Sequence, residues 1–199
     1  DVKKGINKMT IWSKLVGKGK RIWLQIRLAT IRDGWKKAEY LKRKHIFHYI
    51  GENCYYAPIY LPAEPEMVSL HDNVVISAGV RLITHSVAHV VFNREENTNK
   101  YLCRYGKIEI ENNVYVGADA IIQFDVTVGE KCIIAAGSIV TKDVPPNSVV
   151  AGIPARKIST YEEAKRKALN YSGQFSNTSF NGDTWVSELN KNKPVHFEK

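Results

Sequence analysis

Along the second half of the chain an aliphatic residue returns at every sixth position, and few folds accept that spacing. Counting from Ile110 gives Val116, Ile122, Val128, Ile134 and Val140. Four residues after each stand Val114, Ala120, Val126, Cys132, Ser138 and Val144, all small or β-branched. Three residues after each stand Asn113, Asp119, Asp125, Lys131, Gly137 and Asp143. All but Lys131 are types that tolerate left-handed backbone at a tight corner. An α-helix cannot use this pattern, because positions six apart fall on opposite sides of its spiral. An ordinary strand alternates at every second residue and does not need a corner residue in each hexad. Short strands joined by sharp corners fit. Each hexad supplies one strand and one corner, and its aliphatic residue stacks inward on the equivalent residues of neighbouring coils. The expected fold class is mainly β, a parallel β-helix of hexapeptide repeats.

The same register holds earlier at Leu70, Ile76 and Leu82, with Asn73 and Gly79 three residues on. It breaks between Leu82 and Ile110, which are 28 residues apart, not a multiple of six. An inserted loop over 84–109 accounts for the break, and so long a connection inside a repeat domain is more often functional than idle. A first coil starts at Ile50 and Tyr56 and is interrupted by Pro58, Pro62 and Pro65, since proline confines strands to edges and bulges. A coil with open ends needs capping. Helices before residue 49 are expected to cover one end, and a short charged helix over Tyr161–Leu169 the other. The organisation read from the sequence is a basic helical extension over 1–48, the coil domain over 49–158, and a C-terminal helix and tail over 159–199.

Charge separates the first segment from the rest. The 199 residues carry a net +9, yet residues 1–48 hold fourteen Lys and Arg against Asp1, Asp33 and Glu39, and the remainder is slightly acidic. Trp12, Trp23 and Trp35 alternate there with Ile11, Leu15, Ile22 and Ile26, which suggests helices with one apolar face. Two readings follow: a solvated basic face on helices packed against the coil, or contact with an anionic membrane surface or glycolipid. Nucleic acid is not expected as a partner, because no recognition motif accompanies the charge. No apolar run is long enough for a membrane span or a signal peptide, so the expected location is cytoplasmic, with the inner membrane face as the place of any lipid contact. The sequence begins at Asp1, which leaves room for a processed upstream segment. Cys54, Cys103 and Cys132 lack C-x-x-C spacing and read as reduced thiols, and no metal is expected.

The segment from Val114 to Ile158 contains YVGADAII and IIAAGSIVTKDVPPNSVVAGIPARKI, and GVRLITHS spans Gly79 to Ser86. These stretches resemble the hexapeptide-repeat acetyltransferases, among them galactoside, maltose and capsule-modifying O-acetyltransferases. The resemblance runs over roughly residues 50–158 and is most specific in its closing AAGSIVTKDVPPNSVVAGIPAR. It implies a left-handed triangular coil, a homotrimer, and acetyl-CoA as co-substrate.

Acetylating a hydroxyl requires removal of its proton as it attacks a thioester, a task suited to imidazole. His85 stands three residues after Leu82, a corner position at the mouth of the insert, and the resemblance makes a histidine there the general base. His89 is its competitor, as base or as acceptor contact; His45, His48, His71 and His196 read as structural or surface residues. The resemblance further places the pantetheine arm of the coenzyme along Gly117, Ala118, Ala135 and Ala136. It places the phosphate end near Thr141, Lys142 and Arg156, where cations suit it. Acceptor contacts are expected from the insert: Asn93, Arg94, Tyr101, Arg104 and Tyr105. The polar side chains of the resembling family's sugar site have no clear counterpart across Tyr55–Pro65, which argues against a galactoside or maltose acceptor, and the basic N-terminus points to a polysaccharide or lipid-linked precursor. Three rivals stand beside this reading. A zinc carbonic anhydrase on the same coil would need three converging histidines, but His71 and His85 are 14 residues apart at different hexad positions. A scaffold subunit would need no histidine at the insert. An amino sugar would turn O- into N-acetylation.

Overall fold

The computed structural model describes residues 18–173. Two helices come first, α1 (Lys18–Thr30) and α2 (Gly34–Arg43). The coil then runs through β1 (Tyr49–Ile50), β2 (Tyr55–Tyr56), β3 (Val68–Leu70), β4 (Val75–Ile76) and β5 (Arg81–Leu82). It is interrupted by an insert holding β6 (His85–Ser86), α3 (His89–Glu95) and β7 (Arg104–Tyr105). It resumes through β8 (Ile108–Ile110), β9 (Tyr115–Val116), β10 (Ile121–Ile122), β11 (Val126–Val128), β12 (Cys132–Ile134) and β13 (Ile139–Val140). An antiparallel hairpin, β14 (Ser148–Gly152) and β15 (Ala155–Ser159), closes it. A second compact unit starts at Glu163 and contains most of α4 (Tyr161–Ser172), a charged helix as the sequence suggests.

The strands form three parallel faces: β1-β3-β8-β11, β5-β10-β13, and β2-β4-β9-β12-β14. Uninterrupted coils pair residues 18 apart, such as Ile108 with Val126 and Ile121 with Ile139, so each turn takes three hexads. Where the insert intervenes, Val68 pairs with Ile108, 40 positions on. The inward residues of the register, Leu70, Ile76, Leu82, Ile110, Val116, Ile122, Val128, Ile134 and Val140, are all at most 5% exposed. They form one continuous core with Val74, Val80, Val114, Ala120, Val126, Cys132 and Val144, each four positions after one of them.

The corners explain the Asn, Asp and Gly positions. Left-handed φ values of 56–73° occur at Asn73, Gly79, Asn113, Asp119, Asp125, Lys131 and Gly137. Lys131 adopts this conformation without the short polar side chain that eases it. Asp143 does not follow the rule; its carboxylate instead accepts from the Thr127 backbone N–H at 2.8 Å, tying adjacent coils. His85, expected at a corner, is not left-handed and starts an extended strand that leaves the coil. The insert is also shorter than 84–109. Thr84 is 1% exposed in the core, and Ile108 is already back in the ladder.

The two helices cover the first coil. Asp33 caps α2, its carboxylate accepting from the N–H groups of Trp35 and Lys36 at 2.8 and 3.3 Å. Ala38 and Leu41 of α2 and Leu28 of α1 are buried against the coil. Lys37 is buried too; its Nζ donates to the Ala57 carbonyl at 2.8 Å, and burial lowers its pKa. The apolar residues expected to make the packed face do not all make it. Ile22, Trp23 and Ile26 of α1 are 57–60% exposed, and Trp35 is exposed with one edge on Tyr55. Trp12, Ile11 and Leu15 lie outside the described residues, as does the tail with His196. Among the described residues no helix is long and apolar enough to cross a membrane.

Two substitutions test the coil. Ile122→Ala removes a core side chain that is 0% exposed and should cost about 2–5 kcal/mol. Lys131→Asn should gain roughly 0.5–1 kcal/mol by easing a left-handed corner. Opposite shifts of the urea-unfolding midpoint would show both effects.

Candidate active site

The break in the hexad register places a histidine where the coil opens. Thr84 still closes the core, its carbonyl accepting from the Gly106 N–H at 3.0 Å where the chain returns. The next residue, His85, begins β6 and pairs antiparallel with Tyr105 of β7. The two rings pack with centroids 5.5 Å apart.

A carboxylate from the preceding coil meets this histidine. Glu64 Oε2 lies 2.8 Å from His85 Nδ1 and 2.5 Å from Thr84 Oγ1. The Glu64 backbone N–H donates back to Thr84 Oγ1 at 3.3 Å. An ionised carboxylate only accepts, so Nδ1 carries the ring proton and Nε2 keeps the lone pair. Both side chains are largely sheltered, at 28% and 18% exposed. Arg21 of α1 holds the stretch that delivers Glu64: its guanidinium donates to the carbonyls of Pro62 at 2.9 Å and Ala63 at 3.2 Å. Burial raises the pKa of neighbouring Glu66 and the Glu64 charge adds to the rise.

The insert residues expected to meet an acceptor are mostly engaged elsewhere. The Asn93 side-chain amide bonds the Tyr101 backbone in both directions, at 2.8 and 3.0 Å. Tyr101 donates its hydroxyl to Glu96 Oε1. Arg104 pairs with Asp125 at 3.2 Å and lies over the Phe124 ring. Asn93 and Tyr101 thus brace the insert, and Arg104 ties it to the coil. His89 sits in α3 beside a polar hollow of about 510 Å³ lined also by Arg94, Asn97 and Asn99. Its Nδ1 is buried and lacks a hydrogen-bond partner among the described residues.

The residues expected to line the coenzyme fall along two other stretches of surface. Gly117 and Ala118 lie on Ala135 and Ala136 of the next coil: the Gly117 N–H donates to the Ile134 carbonyl, and the Gly137 N–H to the Ala118 carbonyl. A Cβ on Gly117 would stand 2.5 Å from the Ala136 nitrogen, so close stacking of the coils by itself requires glycine here. Thr141 and Lys142 are exposed after β13, and Arg156 is exposed in β15. The order of strands puts Gly117–Ala118 and Ala135–Ala136 at the corner leading into the β5-β10-β13 face. Thr84–His85 and Thr141–Lys142 stand at the corner leading out of it. One chain therefore keeps the small-residue corner and the histidine corner apart.

Against this geometry the likenesses to other proteins take on meaning. A profile described as the hexapeptide repeat of succinyl-transferase matches residues 107–142, which hold β8 to β13. Galactoside O-acetyltransferase of Escherichia coli K12 is 40% identical over 112 residues, 55% of this chain and 52% of that protein. The match thus spans about half of that relative. Protein CapG of Staphylococcus aureus is 32% identical over 149 residues, 72% of this chain and 83% of that protein. The chain belongs to the hexapeptide-repeat acetyltransferases. Among solved structures, a galactoside acetyltransferase in complex with coenzyme A is 31% identical, covers 66% of this chain and 73% of its own, and superposes with a TM-score of 0.51. A hexapeptide-repeat acetyltransferase of Vibrio cholerae shares the fold, with a TM-score of 0.56 at 20% identity over 72% of this chain and 89% of its own.

Family membership stands against the scaffold reading. For the zinc alternative, His71 Nε2 faces Glu109 at 2.5 Å, and among the described residues no three His, Cys, Asp or Glu converge. Glu64, the partner of His85, is the residue of this candidate site that the sequence reading did not reach. It lies outside the hexad register in a proline-rich stretch, 21 positions before His85. The one available signal was a carboxylate among prolines, PAEPE, in place of the missing third side of the first coil.

Thiol chemistry separates the coil from the insert. Cys54 and Cys132 are buried, and burial raises their pKa values, whereas Cys103 in the insert is half-buried. A chromogenic disulfide reagent should titrate one thiol quickly in the folded protein, and Cys103→Ser should remove that phase. Fast reaction of all three would show that the coil is open.

Proposed function

We propose that this acetyltransferase moves the acetyl group of acetyl-CoA to a hydroxyl of a sugar, polysaccharide or lipid-linked precursor, with His85 as general base. The observation that carries the reading is the Glu64–His85 pair at 2.8 Å, at the point where the coil opens. Nε2 takes the hydroxyl proton as the oxygen attacks the thioester carbonyl, and the imidazolium returns that proton to the departing CoA sulfur. Glu64 keeps the ring in the tautomer with a basic Nε2 and favours its positive charge during the attack. Acceptor and thioester react directly when held together, so no covalent enzyme intermediate is needed.

Gly117, Ala118, Ala135 and Ala136 are proposed to take the pantetheine arm against backbone, with Thr141, Lys142 and Arg156 at the phosphates. The small residues Gly117, Ala118, Ala135 and Ala136 reach His85 only if two copies meet, since the small-residue and histidine corners are apart in one chain. A homotrimer of left-handed coils supplies that junction three times in a closed ring. The outward residues Val75, Tyr115 and Ile133 support it. They form an apolar ladder across β4, β9 and β12, with Tyr115 44% exposed. Of the insert residues, His89 remains the acceptor contact proposed here, because its buried ring nitrogen is uncommitted.

Release of CoA thiol from acetyl-CoA, measured over a panel of sugars, tests the chemistry. His85→Ala should lower kcat by about 10²–10⁴-fold. Glu64→Gln should lower kcat by roughly tenfold or more with KM for acetyl-CoA unchanged. Full activity in His85→Ala would remove the base from the scheme, and activity confined to amino sugars would replace O- by N-acetylation. The assembly has its own check: sedimentation should give three times the 22.6 kDa chain mass, and Tyr115→Glu should yield inactive monomers.

A further inference from the structure

Helix α1 has two apolar faces, and the coil uses only one. At about 100° per residue, Leu24 and Leu28 fall on one side, where Leu28 is fully buried and Leu24 packs against the core. Ile22, Trp23 and Ile26 fall on the other side, 57%, 60% and 58% exposed. Arg27, also exposed, stands at the border of this outward arc, and Arg32 and Lys36 are exposed just beyond the helix. Asp33 and Glu39 are the exposed acids of the same stretch, and Asp33 is occupied in capping α2.

We propose that the outward face of α1 docks on an anionic lipid bilayer, with Ile22, Trp23 and Ile26 entering the headgroup boundary and the flanking cations meeting lipid phosphates. Charge selects this occupant. Residues 1–48 carry fourteen basic against three acidic side chains, which attracts an anionic surface and opposes apposition of the same face on a second copy. An aromatic and two aliphatic side chains bordered by arginine is the arrangement that a helix lying in a membrane interface requires. The opposite side of α1 carries Arg21, whose bonds to the Pro62 and Ala63 carbonyls adjoin Glu64. Docking through α1 therefore sets the bilayer beside the same helix that supports the catalytic pair, in keeping with a lipid-linked acceptor.

The test is co-sedimentation of the full chain with vesicles of phosphatidylcholine alone or mixed with phosphatidylglycerol. Binding is expected only to the mixed vesicles, and should fall at least about tenfold on raising salt to about 0.5 M. The double variant Trp23→Ser, Ile26→Ser should bind at least about tenfold more weakly while releasing CoA at the parent's rate with a soluble acceptor. Equal binding to neutral vesicles, or undiminished binding by the double variant, would overturn the proposal. So would a lower sedimenting mass of the double variant together with no vesicle binding by the parent, which would assign the face to a second copy. Vesicle binding does not require catalysis, so loss of the transferase reading leaves this result readable.

Discussion

Strands of two or three residues cannot hold together on their own hydrogen bonds, and every strand of the coil proper before the closing hairpin is that short. What holds them is the inward stack of one aliphatic side chain per hexad against its neighbours above and below. Each such side chain contributes roughly 1.5–3 kcal/mol on burial, and the stack is continuous from Ile50 to Val150. The stack in turn depends on corners sharp enough to return the backbone after every strand. That is why Asn, Asp and Gly, with a single Lys, occupy the left-handed positions. Close stacking also fixes where side chains are absent, as at Gly117, whose missing Cβ lets it meet the backbone of Ala135 and Ala136.

The candidate active site follows from interrupting this order once. At Thr84 the chain still obeys the stack; one residue later it leaves, and His85 becomes the first side chain not bound to the coil's geometry. The interruption alone would give only a histidine on an edge. The first coil supplies the rest, because prolines prevent it from building a third side and leave Glu64 free to turn toward Thr84 and His85. A shared carboxylate between a buried threonine and a sheltered histidine is held from both sides. Arg21 fixes the stretch that carries it. Three separate departures from the repeat, in α1, the first coil and the insert, thus meet at one pair of side chains.

The insert shows polar side chains near His85 that are already engaged with the protein's own groups. Asn93, Tyr101 and Arg104 have the chemistry of sugar-binding residues, yet each meets a partner within the protein. A segment that leaves a β-helix has no stack to lean on, so its polar side chains serve its own backbone first. His89 differs because its buried nitrogen has no such partner among the described residues. Helix α1 gives the complementary case. Its apolar residues outnumber what one face of the coil can bury, and the surplus faces outward beside cations.

The sequence by itself determined the coil, its register, most of its corners and the approximate place of the interruption. These follow from spacing along the chain: few folds accept a six-residue period, and a 28-residue gap breaks it at one point. It also pointed to His85, which stands at that point. Only the tertiary structure decided the partner of His85, because Glu64 is brought there by a loop that obeys no period. It likewise decided that the small-residue and histidine corners are separate, since that depends on which face each strand joins. The outward turn of Ile22, Trp23 and Ile26 belongs with these. The side of a helix that is buried depends on which surface it meets, and no spacing within the helix contains that surface.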